Sequence, residues 1–331
     1  MSNARVVSMC EYQASAARGI TVALAAFFLS LFPLSQVSAG DSIRDLLSNF
    51  VASGASQLFD GTFIYLYGDQ VQTIKVHRSL NNKGMVVESF THIDQPQDSH
   101  SRVLVNQYCS LKNGWQYQFN AISSSFPFRV NNQFEQLQEY YTFEPVPSGK
   151  VADLETRGIG IKASDPYRYS YKLWFESQSA TLMKYQLLSA DNKIVEQYLF
   201  TDITFYPSVI AAASEQQIAP TCYQRFTGLQ QATEKYLDLQ SFPVGYEPVS
   251  YRKGRIGHSD RHAEQFQISD GLADVSVFIE DVIDKSKHIS DVVRMGPMTV
   301  AGKTIGTHQI TVIGAIPVEG ALKILDSIKV P

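Results

Sequence analysis

The chain has 331 residues, 44% of them apolar and 18% charged, a composition that folds and a length that suits two domains. Its 28 Lys and Arg against 32 Asp and Glu give a net charge of −4, which excludes a strongly basic protein that coats nucleic acid. Three Cys are too few for a disulfide scaffold or a multi-zinc protein, and 17 Tyr and 19 Phe against 2 Trp lean towards β structure.

Residues 1–39 read as a secretory signal peptide. Arg5 and Arg18 lead an apolar run, Gly19 to Leu34, and Val37-Ser38-Ala39 supplies small residues before Gly40. The run is shorter than the roughly 20 residues of a spanning helix. No Cys follows the expected cleavage point, which argues against a lipid-anchored lipoprotein. An exported chain keeps Cys109 and Cys222. In an oxidising compartment they could pair or stay as two separate buried thiols, and spacing does not choose between these.

Ile43, Leu46, Leu47 and Phe50 have helical spacing over 42–51, with Asp41 or Ser42 as cap and Gly54 as stop. The period then changes to two. Phe63, Tyr65 and Tyr67 share one face of a strand, Gly68-Asp69 signals a turn, and residues 71–77 return, which is a hairpin pattern. Strand-like runs follow at 85–90, 102–109 and 115–119. An aromatic-rich stretch with Pro127, Pro145 and Pro147 has no readable period. Residues 167–175, 182–188 and 194–200 form a meander, with Asp191-Asn192 turning between the last two runs.

Composition shifts at Tyr206-Pro207. Residues 208–240 are rich in Ala, Ser and Gln, as in a linker with some helix. Strand patterns return at 263–268, 275–280 and 308–315, and residues 318–330 have helical spacing after Pro317. The expected division is a signal peptide at 1–39, an N-terminal domain at 40–207, a linker at 208–240 and a C-terminal domain at 241–331.

No catalytic or metal site emerges, and no cofactor is expected. Gly302-Lys303-Thr304 lacks the earlier glycine of a phosphate-binding loop, since Pro297 stands there. His258 and His262 have i,i+4 spacing in a Gly-rich segment with no third ligand. Ser269 has no nucleophile-elbow context, and Asp270-Gly271 reads as a hairpin turn. Two groups stand out as binding candidates. The aromatics Phe63, Tyr65, Tyr67, Tyr169, Tyr171, Trp174 and Phe175 suit an apolar ligand cavity or a core. Of these, Phe63, Tyr65, Tyr171 and Trp174 are taken as ligand-binding. The cluster Arg252, Lys253, Arg255 and Arg261, expected in a loop, suits an acidic partner or an anionic lipid head group.

Several blocks resemble the MucB/RseB family of sigma-E regulators. Gln57–Tyr65 (QLFDGTFIY) is similar to its opening strand, and Lys172–Ile203 to its central meander. Ser241–Tyr246 (SFPVGY) resembles the entry to its second domain. Ser269–Glu280 (SDGLADVSVFIE) and Thr307–Ile328 resemble its C-terminal signature. The resemblance implies an α+β fold, with an N-terminal antiparallel half-barrel sheet like that of the lipoprotein carriers LolA and LolB and a smaller α/β C-terminal domain. It also implies a periplasmic protein that binds the periplasmic part of a membrane-spanning anti-sigma factor and shields it from proteolysis. Release would follow the sensing of lipopolysaccharide or lipoprotein acyl chains. The alternative on the same half-barrel is a periplasmic lipid or lipoprotein carrier. A nucleic-acid partner is not expected, and self-association is left open. The family's Pro-Asp after its cysteine is replaced here by Leu111-Lys112, which sets the middle of the chain apart.

Overall fold

Alternation of apolar and polar residues builds most of this molecule. The computed structural model describes residues 43–49, 57–80, 86–93, 99–103, 107–110, 116–119, 134–207, 228–255, 262–282 and 290–330. Both sheets described below belong to one compact unit, Ser38–Pro331.

Helix α1 (43–49) buries Ile43, Leu46 and Leu47 in the first core. β1 (Leu58–Tyr67) and β2 (Gln70–Leu80) form the expected hairpin, turning at Gly68 with φ of +54°. β3 (Val86–His92) and β4 (Ser99–Val103) extend the sheet from β2. The run expected at 102–109 is split. Gln107–Ser110 (β5) pairs with Gln116–Phe119 (β6) in its own two-stranded ladder and does not continue β4. Cys109 lies on β5, and Cys222 falls outside the described residues.

The proline-containing stretch without a readable period contains a short helix α2 (Phe134–Leu137) and two long strands, β7 (Tyr141–Val151) and β8 (Leu154–Ala163). Pro145 and Pro147 are tolerated because β7 is the last strand of its sheet, where a missing N–H need not break a ladder. The turn that closes this hairpin is Ala152-Asp153, with φ of 49° and 61°. That geometry usually calls for Asn-Gly, so the usual signal is missing. The meander then runs as expected through β9 (Ser170–Glu176), β10 (Leu182–Leu188) and β11 (Ile194–Tyr206). The antiparallel order is β4-β3-β2-β1-β11-β10-β9-β8-β7.

The second sheet is also antiparallel, in the order β12-β13-β14-β17-β16-β15. Its strands are β12 (Glu247–Arg255), β13 (His262–Ser269), β14 (Asp274–Asp281), β15 (Val292–Met295), β16 (Met298–Ile305) and β17 (His308–Gly314). Cross-strand partners Tyr251, Phe266, Val277, Val312, Ala301 and Val292 form one rung of the face that is packed in the core. Helices α3 (Leu229–Tyr236) and α4 (Val318–Asp326) contribute Ala232, Tyr236, Ala321, Ile324 and Leu325 to the same core. Gly302-Lys303-Thr304 sits in the middle of β16, in a strand and not a phosphate-binding loop.

The region expected to be a basic loop is different in form. Arg252, Lys253 and Arg255 lie on β12, an edge strand, because Val249 and Tyr251 face inward and drive pairing with β13. Charges on such a strand also discourage edge-to-edge association. Arg261 and His258 fall outside the described residues.

Candidate functional site

The aromatic candidates divide between two faces of the large sheet. Phe63 and Tyr171 are 4% and 5% exposed and belong to the core. Their face carries a chain of ring contacts from Tyr141 through Tyr171, Tyr185 and Tyr198 to Phe63, with centroids 5.8–6.3 Å apart. Tyr65 shares that face but is only half-buried, and its hydroxyl donates to Glu196 Oε2 at 2.9 Å. Trp174 lies on the opposite face, since Leu173 and Phe175 beside it point into the core. Its Nε1 donates to the Pro147 carbonyl at 3.1 Å. Three of the four predicted residues therefore share a surface, and only Tyr65 reaches towards solvent there.

Glu196 was not singled out by the sequence. Its signal was a single carboxylate in the alternating run IVEQYLF. Burial pushes its pKa up to about 7, against the opposing pull of the Tyr65 hydrogen bond. The folded protein thus keeps this carboxyl protonated where the unfolded chain, near 4.5, has released it. Stability falls as pH rises from about 4.5 to about 7, by on the order of 3 kcal/mol from this group. Glu196→Gln is expected to flatten that slope and to raise the melting temperature at pH 8, as read by thermal unfolding across pH.

The densest polar centre joins the two sheets. Arg168, in the turn between β8 and β9, is fully buried with Asp270, in the turn between β13 and β14. Arg168 Nη1 lies 3.1 Å from Asp270 Oδ2, and its Nε donates to Asp165 Oδ1 at 3.0 Å. Its Nη2 donates to the Val244 carbonyl. The rings of Tyr140, Tyr246 and Tyr141 surround the guanidinium, at 4.5, 4.9 and 5.4 Å from their centroids. Asp270 also accepts from Tyr141 at 2.9 Å and from the Leu272 and Ala273 backbone at 3.0 and 2.8 Å. Tyr140 donates to the Asp270 carbonyl at 2.7 Å. Burial alone would lower the pKa of Arg168, but Asp270 and the tyrosines outweigh it and the guanidinium is held charged. Burial raises the Asp270 carboxyl above its ordinary range, with Arg168 as the main opposing influence.

Glycines pack closely against facing residues along the same seam. A Cβ on Gly245, Gly296 or Gly320 would lie under 3.0 Å from Tyr140, Tyr67 or the Tyr167 carbonyl respectively. Ser269 is occupied in the turn: its Oγ donates to the Ala273 carbonyl and accepts from Gly271.

Of the predicted basic group, Arg252, Lys253 and Arg255 share strand β12. Arg252 is exposed and bonds Gln265, while Lys253 Nζ pairs with Glu264 Oε1 at 2.8 Å. Among the described residues, no group of three or more His, Cys, Asp or Glu is arranged to hold a metal. No described helix is long and apolar enough to cross a membrane.

Together these features define a protein whose two large sheets are fastened through a buried ion pair. Residues 42–222 match the family model for the MucB/RseB N-terminal domain, and residues 230–329 the model for the MucB/RseB C-terminal domain. The chain belongs to the MucB/RseB family. Among its relatives is the sigma-E factor regulatory protein RseB of Salmonella typhimurium, 25% identical over 91% of this chain and 94% of the relative. Another is the sigma factor AlgU regulatory protein MucB of Pseudomonas aeruginosa, 24% identical over 93% of this chain and 97% of the relative. In fold the chain is similar to MucB in its crystal structure with MucA(peri), with a TM-score of 0.63 at 20% identity over 86% and 97% of the two chains. It is similarly close to the P. aeruginosa MucA/MucB complex, with a TM-score of 0.64 at 19% identity over 87% and 98%.

Proposed function

We propose that this protein is a periplasmic regulator of an envelope-stress sigma factor and acts by binding, without catalysis. It binds the periplasmic part of a membrane-spanning anti-sigma factor and shields it from regulated proteolysis. The observation that carries this reading is the presence of both family domains end to end, 42–222 and 230–329, on a chain whose relatives are sigma-factor regulators. The buried Arg168–Asp270 pair supports it, because two sheets held as one body offer a single continuous surface to a partner. A lipid-type ligand that favours the released form shifts the equilibrium by its differential affinity for the two states. Tyr65, half-buried beside Glu196, is the ligand contact proposed on the aromatic face.

Titration of the protein with the periplasmic segment of its cognate anti-sigma factor tests the reading, and absence of binding ends it. Arg252 and Lys253 are proposed to face the partner from β12. Reversing both charges (R252E, K253E) is expected to slow association about tenfold with little change in dissociation, as rim charges do. Stopped-flow association at two salt concentrations measures it.

A further inference from the structure

The buried carboxylates among the described residues are satisfied in different ways. Asp270 meets Arg168, Glu88 lies 3.7 Å from Arg78, and Glu176 accepts from the Gln178 and Ser179 backbone. Glu196 is as deeply placed, at 7% exposed, yet its one described partner is the Tyr65 hydroxyl on Oε2. The alternation that turns Tyr198 and Phe200 into the core turns Glu196 the same way. Its Oε1 has no partner among the described residues, and it is not sealed from solvent. A buried polar group left open in this way calls for a functional explanation. Register sets Glu196 directly across from Tyr67 on β1 and Leu187 on β10, one rung from Tyr65 and Tyr185. Tyr67 is the last residue of β1 and Glu196 the third of β11, so the group stands at the end of the sheet, beside the Gly68 turn. The Tyr65 and Tyr67 rings are half-buried, with centroids 5.2 Å apart and planes tilted by 37°. Gly296, between β15 and β16, packs on the Tyr67 ring from the other sheet.

We propose that Glu196, Tyr65 and Tyr67 form a binding site for a primary ammonium group, with Oε1 accepting an N–H and the two rings meeting the cation. A carboxylate beside aromatic rings attracts an alkylammonium ion by its charge and by the ring quadrupoles. An anionic ligand would meet no cation bonded to Glu196 among the described residues. Phe63, Tyr171 and Leu187 are packed in the core, so the site takes the ammonium end and leaves the rest of the ligand outside. This chemistry specifies the ligand taken up at Tyr65 and rests on the reading of Tyr65 as a ligand contact, but not on the anti-sigma factor. The sign of its pH dependence follows. An alkylamine stays protonated between pH 6 and pH 8, whereas Glu196 passes from mostly protonated to mostly ionised around its pKa of about 7. Ammonium binding therefore tightens as pH rises, and at pH 6 it releases a proton. Burial, and then the Glu196 charge, push the Tyr65 and Tyr185 hydroxyls up, and burial does the same for Tyr171 and Tyr198. The remaining groups at this end are Tyr67, Gln70 and Gln72 on β2, exposed Asp69, the exposed Asp191–Lys193 pair, and Arg294 across the seam, which bonds Tyr169. None of them is a His.

The test is calorimetric titration of the protein with n-butylamine. Binding is expected to be about tenfold tighter at pH 8 than at pH 6, with proton release at pH 6 read by comparing two buffers of different ionisation enthalpy. n-Butanol, of similar size and uncharged, is expected not to bind. E196Q, its fold checked by circular dichroism, is expected to bind butylamine about tenfold more weakly at pH 8 and to lose the pH dependence. Two short-chain phospholipids, dihexanoyl phosphatidylethanolamine and dihexanoyl phosphatidylcholine, then separate the sources of the amine. Preference for the ethanolamine head group supports a lipid amine, and butylamine binding with neither phospholipid bound supports a soluble one. Equal binding of the two phospholipids would keep Tyr65 as a ligand contact and overturn the ammonium site. So would absence of butylamine binding, binding that weakens from pH 6 to pH 8, or E196Q binding as tightly as the unsubstituted protein. The anti-sigma factor enters none of these titrations, so their failure leaves its binding standing.

Discussion

Asp270→Ala is expected to destabilise the protein by about 3–5 kcal/mol and to separate its unfolding into two steps. The magnitude follows from leaving Arg168 charged and fully buried without its main counter-ion, which costs far more than the net worth of an intact buried pair. The change of mechanism follows from the two cores. Each sheet has its own apolar cluster, and Asp270 with its turn joins one to the other through Arg168, Tyr140 and Tyr141. Replacing both members of the pair by apolar residues (R168M, D270L) is expected to cost less than Asp270→Ala alone, because no buried charge is then orphaned. Calorimetry of the variants measures both effects. A single transition at the original temperature in Asp270→Ala would mean that the seam rests on something other than this pair.

Gly320→Ala is expected to destabilise the protein by about 3 kcal/mol, against the ordinary preference of helices for alanine. In a helix interior this substitution usually stabilises by about 1 kcal/mol. Here the new Cβ would lie well under 3.0 Å from the Tyr167 carbonyl oxygen, which is backbone and cannot rotate away. Helix α4 and the turn at 164–169 would have to part, and that turn carries Arg168. Overpacking of this kind outweighs the gain in propensity. Gly254→Ala on β12 is the control, since its Cβ would meet nothing within 4 Å, and it should be close to neutral. Urea unfolding of both variants, compared with the unsubstituted protein, checks the contrast.

Much of the fold was legible because strand alternation writes itself into the sequence. FIYLY before Gly68-Asp69 puts its aromatics on one face, the runs at 182–188 and 194–200 alternate buried Tyr185 and Leu187, and Glu196, Tyr198 and Phe200, with half-buried neighbours, and their strands formed as expected. The β7–β8 hairpin was hidden for two local reasons. Its edge strand contains prolines, and its turn uses Ala152-Asp153 in a conformation that normally advertises itself with glycine. The seam was hidden for a different reason. Asp270 looked like an ordinary turn residue, and a turn it is, but its carboxylate also meets an arginine 102 residues away. No local pattern carries such a pairing. The only trace was Arg168 itself, a cation set among Tyr167, Tyr169 and Tyr171.

The shielding claim meets its most direct test in a proteolysis time course. The periplasmic segment of the anti-sigma factor is exposed to its regulatory protease with and without a saturating amount of this protein. Cleavage slowed in proportion to the bound fraction is the predicted result. Cleavage at the same rate with the segment fully bound would contradict the account.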